Sequence, residues 1–130
     1  MSTVLRLTIL FGAILDGTLG FGFLVDSQRA GADFAIAAKG PLGVSTLRGD
    51  MSAFFLVAAV FMLAGAARRR GDWLVAPLAL FLVALTGRGL DLLLEGPYGG
   101  WWLPMTVEAL HVAVLAGAIA EWPWRGAPSS

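Results

Sequence analysis

Asp16, Arg88, Asp91, Glu108 and His111 are ionisable residues set in otherwise apolar stretches, at spacings that let them act together. Arg88 and Asp91 lie one helical turn apart in Leu85-Thr86-Gly87-Arg88-Gly89-Leu90-Asp91, and Glu108 and His111 are one turn apart further along. Residues three apart share a helix face, so each pair is presented as a unit. A carboxyl beside an imidazole suits general acid–base chemistry, and a guanidinium nearby can steady a developing oxyanion. Charges at that depth are expensive and mark either a functional site or a structural lock. Asp16, Asp91 and Glu108 oppose the single positive charge of Arg88. In a low dielectric, at least one carboxyl is therefore expected to be neutral or paired with a protonated His111. Asp16, Arg88, Glu108 and His111 are the candidate catalytic residues, and Arg48, Asp50 and Asp91, nearer the outer surface, are candidate ligand contacts.

Four apolar segments must position these groups. The 130-residue chain is 58% hydrophobic and 14% charged, with a mean hydropathy of +0.79, which is too apolar for a small soluble domain. Spans are expected at about 4–25, 51–67, 73–94 and 103–122, each sufficient to cross roughly 30 Å of hydrocarbon. The first segment, with the small-residue run Ala35-Ile36-Ala37 downstream, has some signal-peptide character. Its length and its central carboxylate favour a retained span. The expected fold is all-α, a single transmembrane domain over residues 1–130 built as a four-helix bundle. Pro77 and Pro104 fall in early helical turns, where a missing N–H donor is tolerated.

The connection from Asp26 to Asp50 is the longest. A short interfacial helix is expected in it near Ala32–Lys39, because a structureless loop of that length is unusual in a small protein. Trp73, Trp101, Trp102, Trp122 and Trp124 all fall at expected span ends, where amphipathic rings favour the lipid–water boundary. Arg68-Arg69-Arg70 orients the chain, placing both termini in the cytoplasm and the long first loop outside. The tail from Pro123 onward is expected to fray. Gly12 and Gly20 flank Asp16 at intervals of four, and with Gly17, Gly65, Gly87 and Gly117 they allow close helix approach.

Counted at 1.5 Å per residue from the outer end, Asp16, Arg88 and His111 are expected about 12 to 14 Å down and Glu108 about 9 Å down. One polar layer is the expectation, a pocket opening outward above an apolar floor. Zero net charge gives no sign of a nucleic-acid partner, and the absence of cysteine excludes thiolate chemistry and cysteine-ligated metal. Glu108-x-x-His111 is half of a carboxylate di-metal motif present in one copy, so neither a metal nor another cofactor is expected.

Arg48 at the entrance of the second span, the Gly87-Arg88-Gly89-Leu90-Asp91-Leu92-Leu93-Leu94-Glu95-Gly96-Pro97 run and Glu108 in the fourth span carry a resemblance. They look like the arginine-led second helix, the Gly-Arg motif with its Gly-Pro turn and the helix-four glutamate of a bacterial family of small four-span inner-membrane proteins of unknown function, similar in turn to the DoxX-like group. The resemblance implies a four-helix bundle in the bacterial cytoplasmic membrane and no established activity. This chain departs from the family in its longer first connection.

From the residues, the expected activity is binding of a lipophilic small molecule, or acid–base chemistry on it, with membrane lipid around the bundle. A proton-coupled small-molecule transporter and an accessory subunit of a larger membrane complex are the rival readings. A homo-oligomer or a membrane-protein partner also stays open, as does the reading of Arg88 with Asp91 or Glu108 as an ion pair that only fixes helix register.

Overall fold

The computed structural model describes residues 1–125, and its architecture is helical throughout. Helix α1 runs Ser2–Val25 and stops at Asp26, whose extended backbone leaves the helix while its N–H still donates to Gly22 O at 2.9 Å. The same residue starts α2, Ser27–Asp33, by accepting the Arg29 N–H on its carboxylate at 3.2 Å. This is N-capping: a side-chain oxygen satisfies a donor that the first turn leaves free.

Helix α2 closes where Ala35 adopts φ 57 and the Ile36 N–H returns to Gly31 O at 2.8 Å. Gly31 is required there, because a Cβ would stand 2.8 Å from Leu47 Cδ2 and 3.0 Å from Ile36 O.

Helix α3, Gly40–Arg68, begins eleven residues earlier than the expected second span. Pro41 in its first turn is pre-set for helix entry. Thr46 returns its hydroxyl to Leu42 O at 3.0 Å, and Leu47 buries itself against α2. Arg48 and Asp50 are therefore helical residues rather than loop residues. The short helix of the first connection lies at Ser27–Asp33 instead of Ala32–Lys39, since Asp26 supplies the cap and the link over 34–39 carries the reversal.

Arg69, with φ 50, ends α3, and a single 3-10 turn at Gly71–Leu74 follows, fastened by the Arg70–Asp72 ion pair. Helix α4 is Val75–Glu95, stopped by Gly96 at φ 82. Helix α5 is Trp102–Glu121. The α1, α3 and α5 helices, and α4 with its preceding turn, are each long and apolar enough to cross a membrane.

The four long helices form an up-down-up-down ring. Helix α1 packs most closely on α3, and α4 on α5. The contacts α1 with α5 and α3 with α4 close the ring, and among the described residues the backbones of the diagonal pairs do not approach one another. Helices gain little from the hydrophobic effect in lipid, so small residues that let backbones approach take over. Gly20 is the tightest such point, where a Cβ would stand 2.9 Å from the Leu56 backbone nitrogen.

The main core, including Ile9, Met62, Leu74, Phe81, Leu115 and Trp122, occupies the half of the bundle that holds the N-terminus. A second cluster of Phe23, Leu47 and Phe55, with Phe34 against it, fills the space under α2. At the other end Arg6 Nε donates to Ala66 O at 3.1 Å.

Two end-of-chain expectations change. Trp122 is 4% exposed, and its indole donates to Ser2 Oγ at 3.1 Å, so it belongs to the core rather than to a lipid boundary. Pro123 and Trp124 are docked, not frayed: Pro123 O accepts the Gly71 N–H and the Trp124 indole donates to Ile119 O. Residues 126–130 of the expected frayed tail lie outside the described residues.

Candidate functional site

Helix α1 turns one stripe inward: Ile9, Gly12, Ala13, Asp16, Gly20 and Phe23 are its buried residues. Three- and four-residue steps make this a single face, and Asp16 is the one charged member. Opposite it on α5 stands His111. Its Nε2 lies 3.2 Å from Asp16 Oδ2, with the two side chains 10% and 3% exposed.

The other imidazole nitrogen, Nδ1, is 2.8 Å from Val107 O. A carbonyl can only accept, so Nδ1 carries the hydrogen. Nε2 of a neutral ring then presents a lone pair to a carboxylate, and two acceptors at that distance repel. A proton shared between imidazole and carboxyl would remove that repulsion. Nε2 and Oδ2 are both buried, and among the described residues neither has a hydrogen-bond partner, each other included.

Every neighbouring helix restrains this imidazole. Phe81 of α4 stacks on it with ring centroids 4.1 Å apart at 27°. Gly12 of α1 leaves room for it, since a Cβ there would lie 3.3 Å from Nε2 and 3.0 Å from Met62 Cε of α3.

A second pair lies nearer the α2 end. Arg88 Nε donates to Glu108 Oε1 at 2.8 Å. The Glu108 side chain is 11% exposed and that of Arg88 35%. The second carboxylate oxygen of Glu108, Oε2, is buried and has no hydrogen-bond partner. Arg88 follows Phe81 by seven residues, two turns, and so leaves α4 on the same inward side. Arg88 nonetheless keeps about a third of its side-chain surface exposed, while the Glu108 carboxylate it pairs with is buried.

The single expected polar layer is therefore two. Asp16 and His111 occupy the middle of the bundle, and Phe81 fixes the α4 level that matches them. Arg88 stands about 10 Å further toward the α2 end at 1.5 Å per residue. Glu108 joins the levels because its position on α5 is one turn from His111 while its side chain reaches Arg88.

Asp91, Arg48 and Asp50 are exposed and form no ion pair among the described residues. Arg88 pairs across to α5 rather than along its own helix to Asp91. Also among the described residues, no group of three or more His, Cys, Asp or Glu side chains could hold a metal ion.

The cavity at this site differs from the expected outward-opening polar pocket. A groove of about 240 Å³ runs between α1 and α5, with Ile9, Phe11, Gly12, Leu15, Leu110 and His111 among its walls. Phe11 and Leu110, both exposed, flank its sideways mouth. Thr8, also on the wall, spends its hydroxyl on Val4 O at 2.9 Å. Among the described residues on that wall His111 is the one ionisable side chain, its Nε2 buried, and Asp16, Arg88 and Glu108 do not line the groove.

Sequence reasoning missed Phe81, which stacks on His111, and Met62, which shares with it the space beside Gly12. The available signal was the seven-residue step from Phe81 to Arg88, which puts both on one side of α4. No family model matches the chain, and neither a curated protein nor a solved structure matches it.

Proposed function

We propose that this four-helix membrane protein takes a lipophilic small molecule from the bilayer into the groove between α1 and α5 and presents to it the Asp16–His111 pair as a proton donor and acceptor. The observation that carries the reading is the position of His111: the residue stands on the wall of an apolar groove, its Nδ1 is tethered to Val107 O, and its free nitrogen faces a buried carboxyl.

A histidine that served packing alone would find a hydrogen-bond partner for both ring nitrogens. Here Nε2 is buried against Asp16 Oδ2 at 3.2 Å with no hydrogen bond formed, and the residue stands on the wall of the groove. A guest with a long apolar body and a single hydroxyl or carbonyl fits that wall, because burying its polar atom costs little only where a partner waits. The packed core of Met62, Ala66, Leu115 and Trp122 between the pair and the N-terminal end favours binding over passage across the membrane. The Arg68–Arg70 segment suits a cytoplasmic face, which puts the α2 end outside a bacterial cytoplasmic membrane.

Photolabelling in nanodiscs tests the proposal, with a diazirine-bearing long-chain alcohol as the lipophile. The expected result is labelling concentrated on α1 and α5 around Phe11 and Leu110, diminished by Leu15→Trp, which fills the groove. His111→Asn should leave the groove open but remove the preference for the alcohol over the matching hydrocarbon. Labelling spread evenly over all four lipid-facing surfaces, and indifferent to both substitutions, overturns the reading.

A further inference from the structure

We infer that Glu108 is the proton relay joining the Asp16–His111 pair to the α2 side of the membrane, and to that side alone. This deepens the function proposed above and rests on the same pair as its reacting centre, but it is read without any lipophile.

In the middle of the bundle His111 Nε2 and Asp16 Oδ2 face each other at 3.2 Å, and one proton between them relieves the repulsion of two acceptors. Whatever removes that proton leaves two bare acceptors face to face, so a replacement must arrive. Toward the N-terminal end the way is closed by apolar side chains: Met62 is 2% exposed, Leu115, Ala66, Ala118 and Leu74 are 0%, and Trp122 is 4%. Toward the α2 end the next ionisable group is Glu108, one turn from His111 on the same face of α5. Its Oε1 is fixed by Arg88, while its Oε2 is buried and free. A carboxyl with one oxygen anchored and the other uncommitted can accept a proton and hand it on without moving its helix. Beyond it stands Arg88, whose side chain is 35% exposed.

The charged groups around His111 are Asp16 from α1, Glu108 from its own helix and Arg88 from α4 by way of Glu108, while α3 contributes Met62 at that level. The step balances simply. Glu108, a carboxylate paired with Arg88, takes a proton on Oε2 from water on the α2 side and passes it to the imidazole–carboxyl pair, returning to the carboxylate that Arg88 neutralises. Arg88 is a positioning residue in this scheme, holding the carboxylate between transfers.

His111 is the only histidine in the chain, so ring-labelled histidine yields one spectroscopic signal that reports this pair. The experiment reconstitutes the protein in vesicles of known orientation and steps the pH on one side at a time, following the imidazole band by time-resolved infrared spectroscopy. The expected response is fast from the α2 side and slow from the other. Glu108→Gln should slow it on the order of a hundredfold, the loss typical of one proton-transfer group, and Glu108→Asp should restore part of the rate. An equal response from both sides of the wild-type protein, or an unchanged rate in Glu108→Gln, overturns the relay. Failure of the alcohol to label the groove would leave these measurements untouched, so the two proposals fail separately.

Discussion

Gly12 and His111 meet across the α1–α5 crossing with no space to spare, a Cβ on Gly12 standing 3.3 Å from the imidazole Nε2 and 3.0 Å from Met62 Cε. The missing side chain on α1 is what lets the imidazole reach Asp16 one turn away. Met62 has a flexible end and can yield, but the imidazole is held by Phe81 and Val107 and cannot.

Gly12→Ala is expected to insert and fold with a loss of about 1–3 kcal/mol, the usual cost of overpacking. Its histidine ring signals should move away from the wild-type shifts. The check is thermal unfolding in detergent together with the single-histidine spectrum. Wild-type histidine shifts in Gly12→Ala would show that the imidazole does not depend on that space.

At Gly20 the obstruction is main chain. A Cβ would lie 2.9 Å from the Leu56 backbone nitrogen, which no rotamer change relieves, so α1 and α3 must separate. Gly20→Ala should therefore destabilise more than Gly12→Ala. Gly87→Ala and Gly89→Ala, where nothing lies within 4 Å, should gain about 0.5–1 kcal/mol from the better helix former. Ranking the four variants by midpoint of unfolding tests the packing of each helix, and a loss at Gly87 equal to that at Gly20 contradicts it.

The Arg88–Glu108 pair predicts an asymmetry. Arg88→Leu strands a carboxylate that is nine-tenths buried, whereas Glu108→Leu leaves a guanidinium already one-third exposed that can turn outward. The first change should cost toward the low end of about 3–5 kcal/mol, because the exposure of Arg88 admits some screening. The second should cost less than half as much. Equal losses would mean that Arg88 is as enclosed as its partner.

The composition and its four apolar runs were enough to read the bundle, and the charged residues inside those runs were enough to nominate Asp16, Arg88, Glu108 and His111. What spacing could not convey was how the helices sit in height against one another. That offset is fixed by contacts such as Phe81 on His111 and Gly20 on Leu56, which join residues distant in sequence. Helix phase placed Arg88 on the inward side, but counting from helix ends put it level with Asp16 when it stands two turns away. The early start of α3 was hidden for a local reason. Gly40, Gly43 and Gly49 read as loop residues, and only Pro41 at the first turn and the burial of Leu47 against α2 make the segment helical.

Trp122 and Ser2 offer a paired test at the N-terminal end. Ser2→Ala leaves a buried indole N–H without its acceptor, which costs about 1–3 kcal/mol, more than the about 0.5–1.5 kcal/mol of an ordinary hydrogen bond. Adding Trp122→Phe removes the stranded donor, so the double variant should be less destabilised than the sum of the two single changes. Strict additivity would mean that the hydrogen bond does not form in the membrane.

Helix α3 contains 29 residues where α5, diagonal to it, contains 20, so it is longer by about 13 Å at 1.5 Å per residue. Bilayer hydrocarbon about 30 Å deep accommodates the shorter helix and leaves the first turns of the longer one standing in water with α2 folded over them. Those turns form a rigid handle above the lipid, where a tag, an antibody fragment or a cysteine introduced into this cysteine-free chain would sit clear of the groove and of the buried pair.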